Sequence, residues 1–286
     1  MPIAPNTVPS LDISPIGLKS ETVLPPVTFP SVSIFGVRFD SLTMDETLLI
    51  LDEFVQRRRP TQVCLANAYT VALCRKDEAL RNLLEQSDLV LADGMSIVWG
   101  AHWIGLSLPE RIAGPDLMTG LCKHASQKGY SIFLMGSSRE NLDMLQKVLL
   151  SRWPRLRIVG LYNPSMCDQF DEDENRRILE MIRQARPDIL FVGMSAPKQE
   201  KWIAQNLNRL HAPVCMGVGA AFDFLSGRIP RAPERLQRIG LEWLYRLSCE
   251  PRRLWRRYIL GNIVFLSLLL NEIIRYKFSR LRAFRF

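Results

Sequence analysis

The chain has no Cys-x-x-Cys pair and only three histidines, so it lacks the usual residues for a structural zinc site. His102, His124 and His211 also have no partner pattern for a Cys–His or Ser–His nucleophile and read as structural or surface residues. The six cysteines (Cys64, Cys74, Cys122, Cys167, Cys215, Cys249) are scattered, mostly in apolar segments. That usage suits small core residues in a reducing compartment. A signal peptide is not expected, because the start has neither a basic region nor an apolar core. Residues 1–30 are instead proline-rich and mixed with Ser, Thr and Val, which reads as a disordered leader. No aromatic-rich RNA-binding motif and no internal repeat is found.

Net positive charge is missing from the first four-fifths of the chain. From Arg228 to Phe286 there are 14 Lys/Arg against 4 Asp/Glu, a net of +10, while the whole chain carries +8. A pI near 9.4 raises nucleic acid as a partner. Here, however, the charge sits at one end among Leu, Ile, Phe and Trp, which fits an anionic lipid surface better, and no nucleic-acid partner is expected. The apolar run Tyr258–Asn271 would span about 21 Å as a helix, short of roughly 30 Å of bilayer hydrocarbon. Arg252, Arg253, Arg256 and Arg257 precede it. Arg275, Lys277, Arg280, Arg282 and Arg285 follow. Together they suit a segment that lies on a membrane rather than one that crosses it. The same pattern also fits a buried C-terminal helix with a solvated basic end.

Between these ends the pattern alternates short apolar strands with helices. Ser33–Phe39 reads as a strand. Thr43 and Glu46 form a capping box that opens a helix to about Arg58. Gln62–Ala66 and Asp88–Ala92 read as strands, separated by a helical stretch from Asn67 to Leu84. A helix over Asp116–Lys128 is stopped by Gly129. Strands at Tyr130–Met135, Arg157–Leu161 and Asp188–Val192 are each followed by a helix, and Val214–Gly217 is the last strand. This order predicts an α/β, Rossmann-like fold with a mainly parallel, doubly wound sheet. Three regions are expected: the leader 1–30, an α/β domain 31–227, and a basic helical appendage 228–286. In the appendage Leu236, Ile239, Trp243, Leu244 and Leu247 share one stripe, and Arg231, Arg235 and Arg238 another.

Ligands of such sheets bind beyond the carboxyl ends of the strands. That criterion selects Asn67, Asp93-Gly94, Gly136-Ser137-Ser138, the loop Gly193–Gln199 and Gly217–Asp223. Asp93 ends an apolar strand, where desolvation would raise its pKa into the range of a general base; it serves equally as a turn or cap residue before the next helix. Asn67 fits a helix cap, Lys198 and Gln199 a surface helix, and Asp223 a local turn acceptor. The GVGAAF segment departs from G-x-G-x-x-G, with Phe222 in the third glycine position, which counts against a dinucleotide site.

The segments NAYTV, SDLVLADGMSIVWG, ERIAGPDLM, FLMGSS, ILFVGMSAPKQEKWI, GVGAAFDFLSGRIPRAP and LEWLYRLSCEPRRLWRRY occur in one order over roughly residues 33–260. In this the chain resembles the WecG/TagA/CpsF glycosyltransferases, glycosyltransferase family 26. The resemblance implies inverting transfer of a sugar from a nucleotide donor, usually a UDP-sugar, without a cofactor or an essential metal. The implied acceptor is a sugar on a polyprenyl diphosphate at the cytoplasmic face of the bacterial inner membrane, in surface or exopolysaccharide biosynthesis. By similarity Asp93 is the base, Asn67, Arg111 and Gln199 line the substrate pocket, and Gly136, Gly217 and Gly219 hold the nucleotide. Gly94, Lys198 and Asp223 join the same pocket, and Arg228, Arg231, Arg235 and Arg238 meet the lipid diphosphate. Leu65 stands where the family commonly has Thr, two residues before the asparagine, so that hydroxyl contact is either absent or supplied by another group such as Tyr69 or Thr70. Homo-oligomerisation is left open, as are two rival classes: an NAD(P)-dependent oxidoreductase and a non-catalytic nucleotide-binding protein of the membrane surface.

Overall fold

The computed structural model describes residues 29–165, 167 and 169–283, with side chains described through Lys277. Most of the proline-rich leader, the side chains of Arg280 and Arg282, and Arg285 lie outside the described residues.

Six strands form one parallel sheet in the order β4-β3-β8-β7-β5-β6. These are β3 (Thr61–Ala66), β4 (Leu89–Ala92), β5 (Ser131–Gly136), β6 (Arg157–Tyr162), β7 (Ile189–Gly193) and β8 (Val214–Gly217). Apart from the edge strand β6, they are buried along nearly their whole length, as their continuous apolar sequences require. Successive side chains alternate between two cores. Leu65, Leu91, Leu134, Phe191 and Met216 point to the side covered by α1 (Met44–Arg57), α5 (Gly114–Lys128) and α6 (Arg139–Arg152). Cys64, Ala66, Val90 and Ala92 meet α2 (Ala68–Cys74), α3 (Glu78–Gln86) and α4 (Met95–Trp103) on the other. Farther along that side, Phe133, Met135, Leu190 and Val192 meet α7 (Glu172–Ala185) and α8 (Lys198–Asn206). The sequence thus folds as the doubly wound α/β sheet expected of it.

Local signals place several ends accurately. Thr43 and Glu46 make the reciprocal capping box, and Arg58 and Gly129 close α1 and α5 in the left-handed region. Three segments differ from expectation. The strand at Ser33–Phe39 is an antiparallel hairpin, β1 (Ser31–Ile34) and β2 (Val37–Asp40), because Phe35 and Gly36 both adopt positive φ. The helical stretch after Asn67 divides into α2 and α3, since Asp77 caps a new helix start through the Leu80 N–H. And α4, apolar on all sides, follows Gly94 without the stripe that marks an amphipathic helix.

After the short α9 (Ala221–Leu225), the C-terminal part runs through α10 (Glu234–Arg238), α11 (Glu242–Cys249), α12 (Pro251–Trp255), a π-helical turn at 256–260 and α13 (Gly261–Ala283). The fourteen-residue apolar run therefore lies in a longer element. Pro251–Lys277, which holds an 18-residue stretch with a mean hydropathy of 1.5, is long and apolar enough by length and composition to cross a membrane. One side of α13 is already committed to the body. Phe265 and Leu269 are buried in the core that contains α2 and α4, in contact with the space above Gly100, and the Phe265 ring meets Phe35 edge-on at 5.4 Å. Ile263, Leu266, Leu270 and Ile274, on the opposite side, remain exposed.

Candidate functional site

Because the six strands are parallel, their carboxyl ends share one edge, and a cleft of about 1310 Å³ opens there. Its wall includes Asn67, Asp93, Gly94 and Arg111, and beyond them Lys198, Gln199, Gly217, Gly219, Asp223 and Arg228. Sequence reasoning singled out all ten. The C-terminal helices close the cleft with Glu242, Trp243, Arg246, Arg253, Arg257 and Tyr258.

Asp93 follows β4, the strand at one end of the sheet, and lines the cleft there. Its carboxyl is held above the usual carboxylate range by burial and by the nearby Glu242 charge; the Asn67 amide, Arg111 and Arg257 act in the opposite direction. Asn67 is both things the sequence allowed. Its Oδ1 accepts the Tyr69 and Thr70 N–H groups and caps α2, while its Nδ2 faces Asp93 Oδ2 at 3.4 Å. Thr70 Oγ1 lies 3.4 Å from Asn67 Oδ1, and both Thr70 and Leu65 line the cleft. Tyr69 instead carries the Arg257 guanidinium 4.8 Å above its ring.

The glycines act through space. A Cβ at Gly217 would stand 2.6 Å from Gln199 Nε2, so the bare backbone admits that side chain. Gln199 in turn accepts the Gly219 N–H at 3.0 Å. Gly136 is not on the cleft wall; a Cβ there would meet the Gly193 backbone at 2.4 Å, so its role is close approach of β5 and β7. Ser137 and Ser138, which follow it, do line the cleft. Phe222 packs its ring over Gly193 at the third position of the failed glycine fingerprint. Lys198 donates to the carbonyl of Cys167, which also lines the cleft, with its ammonium 4.5 Å from the Phe170 ring. Asp223 accepts from Asn141 at 3.1 Å and pairs with Arg228 at 3.4 Å, and burial raises its pKa.

The predicted arginine set is only partly at the cleft. Arg228 reaches it, whereas Arg231 is absorbed by Asp116, at 2.5 and 2.8 Å, and by Glu242 at 3.2 Å. Arg111 joins the same group, with Glu242 at 2.7 Å and Asp116 at 3.3 Å. This closed set of two arginines and two acids ties α11 to the start of α5. Arg235 and Arg238 are exposed and away from the cleft wall, the latter beside Glu234 at 3.5 Å. Three further C-terminal arginines, Arg246, Arg253 and Arg257, also face the cleft. The Nε of both Arg246 and Arg257 is buried without a hydrogen-bond partner. Arg253 and Arg257 were legible as part of a basic run, and Arg246 only as one residue of the LEWLYRLSCEPRRLWRRY segment. An acidic run, Asp171–Glu174, opens α7: Asp171 caps the helix, Asp173 pairs with Arg176 at 3.4 Å, and Glu174 accepts the Ser165 N–H at 2.7 Å.

A partly desolvated carboxylate and unfilled guanidinium donors in one cleft suit proton abstraction beside an anionic leaving group. Similarity to known proteins agrees. Two curated relatives, from Staphylococcus aureus strains NCTC 8325 / PS 47 and COL, are each named N-acetylglucosaminyldiphosphoundecaprenol N-acetyl-beta-D-mannosaminyltransferase. Each is 29% identical to this chain over 227 residues, covering 79% of this chain and 87% of the relative. Residues 32–279, which include β1–β8, the cleft and most of α13, match the glycosyl transferase WecG/TagA/CpsF family, and the chain belongs to that family of glycosyltransferases.

Proposed function

We propose that this glycosyltransferase moves a hexose- or N-acetylhexosamine-type sugar from a UDP-sugar to a sugar carried on polyprenyl diphosphate. The setting is the cytoplasmic face of a bacterial inner membrane, in surface or exopolysaccharide biosynthesis. The observation that carries this reading is the shared cleft of Asp93, with its raised pKa, and the unfilled Nε–H donors of Arg246 and Arg257. The relatives' name supports the acceptor, a sugar on diphosphoundecaprenol, and suggests N-acetylmannosamine as the sugar transferred.

In this reading the acceptor hydroxyl attacks the anomeric carbon while the bond to the nucleotide diphosphate breaks. Asp93 takes the hydroxyl proton, the bond forms on the face opposite the leaving group, and UDP departs with the electron pair. Inversion follows from a single displacement. Guanidinium groups and backbone N–H groups neutralise the two diphosphates, a task to which the planar donor fork of arginine is suited. The exposed apolar face of α13 and its basic flanks hold the cleft at the lipid surface where the acceptor resides.

The test is turnover. The full chain, UDP-N-acetylmannosamine and an N-acetylglucosaminyl diphosphate lipid should give UDP and a disaccharide lipid, with and without a chelator. Other UDP-sugars in parallel identify the donor. Release of UDP from none of them refutes the proposal.

A further inference from the structure

Glu200 is one of the most enclosed charged residues of the body, 3% exposed, yet it borders the cleft. Its neighbour Gln199 is 4% exposed and also borders the cleft. Burial of two such side chains is costly unless their polar atoms are matched. The match is specific. Gln199 Oε1 accepts the Gly219 N–H at 3.0 Å, and Gln199 Nε2 donates to Glu200 Oε1 at 2.7 Å. The backbone N–H can only donate and Glu200 Oε1 accepts here, so together they permit one orientation of the carboxamide and forbid the flipped one. The Glu200 main chain is pinned as well, its carbonyl accepting Gln62 Nε2 of β3 at 2.9 Å.

Two valences are left over. The second N–H of Gln199 has no acceptor among the described residues, and Glu200 Oε2 is buried with no partner. A structural pair buried for stability alone would satisfy both. We propose that Glu200 is a positioning residue for donor binding, holding the Gln199 carboxamide so that its spare N–H meets an acceptor oxygen of the sugar nucleotide. The proposal rests on the UDP-sugar reading above. Glu200 acts only through Gln199. Gly217 is part of the same device, since any side chain there would occupy the place of Gln199 Nε2.

The experiment is calorimetric titration of UDP-N-acetylmannosamine and of UDP into the full-length protein, with donor KM and kcat from UDP release and a thermal melt for each variant. Glu200→Gln keeps an acceptor oxygen for Gln199, and donor Kd and KM should stay within about threefold of wild type. Glu200→Leu removes it, and donor Kd and KM should rise tenfold or more while kcat changes less. In a Gln199→Ala background, Glu200→Leu should add no further loss. A deficit confined to UDP-N-acetylmannosamine assigns the contact to the sugar, and a deficit shared with UDP assigns it to the nucleotide. A folded Glu200→Leu protein with unchanged donor Kd overturns the proposal. So does a tenfold loss in a Glu200→Gln protein that melts normally, which decides the matter even if Glu200→Leu does not fold. Wild-type protein that binds no sugar nucleotide overturns the UDP-sugar reading itself and this proposal with it.

Discussion

Asn67 Nδ2 stands 3.4 Å from Asp93 Oδ2, and the Asn67 amide cannot turn round, because its Oδ1 is engaged by the N–H groups of Tyr69 and Thr70. A helix cap thereby fixes a donor beside the proposed base. Asn67→Asp keeps a good capping oxygen and replaces that donor with a second carboxylate. The melting temperature should change little, while transfer falls and the acid limb of its pH profile moves to higher pH. An unchanged profile would separate Asn67 from the chemistry.

Asp93→Asn retains shape but cannot accept a proton. Loss of a general base typically costs on the order of 10²–10⁴-fold. Single-turnover transfer in the folded variant should fall in that range, with UDP affinity retained. Near-normal turnover would remove Asp93 from the mechanism.

Glu242 adds to the Asp93 shift through its charge, and Arg111, Arg257 and Asn67 oppose it. Since the base must be ionised, activity rises as pH climbs through the Asp93 pKa. Glu242→Gln removes a negative charge and should move the acid limb of kcat/KM to lower pH. Arg257→Gln removes a positive one and should move it higher, besides weakening substrate binding. Shifts in the same direction for both would refute this electrostatic account.

Much of this site was legible before any coordinates, and what was not has identifiable causes. Asn67 and Asp93 stand at the ends of continuous apolar strands, Gln199 and Asp223 lie in the helices that follow β7 and β8, and a parallel sheet must bring such strand ends to one edge. The arginines were harder. Charge alone does not distinguish Arg231, absorbed by Asp116 and Glu242, from Arg246, whose Nε is left unfilled, because acids more than a hundred residues apart decide it. Gly136 and Gly217 look alike in sequence, yet one admits a neighbouring strand and the other a glutamine. Helix α4 was hidden for a simpler reason: a segment with apolar residues on every side has no periodicity to read.

Asp40 links the β1–β2 hairpin to the main sheet by accepting the Val90 N–H at 2.7 Å, and burial raises its pKa to about 6. The folded state therefore keeps a proton that the unfolded chain, near the ordinary aspartate value of 3.8, has lost. Stability attributable to Asp40 is greatest below that lower value and declines as pH rises to about 6, by up to about 3 kcal/mol. Asp40→Asn keeps an acceptor for Val90 without the titration and should flatten this part of the urea midpoint against pH. A slope identical to wild type would show that Asp40 does not titrate as described.

The two sides of α13 make separable predictions. Phe265 and Leu269 are 3% and 4% exposed, packed with Ala101 and Ile97 in the core beneath α4. Deleting such a buried aromatic side chain costs about 3–5 kcal/mol, so Phe265→Ala should lower the melting temperature clearly. Removing everything from Gly261 onward should therefore destabilise the body as well as remove its lipid-facing surface. Ile263, Leu266 and Leu270 are 58–60% exposed and share the opposite stripe, where serine costs the fold little. The triple serine variant should keep its melting temperature and its UDP affinity, yet lose flotation with anionic liposomes and turnover of a lipid-linked acceptor. High salt should partly reproduce that loss in the wild type by screening Arg275, Lys277 and the arginines before the helix. A triple variant that still floats would show that this face is not the membrane contact.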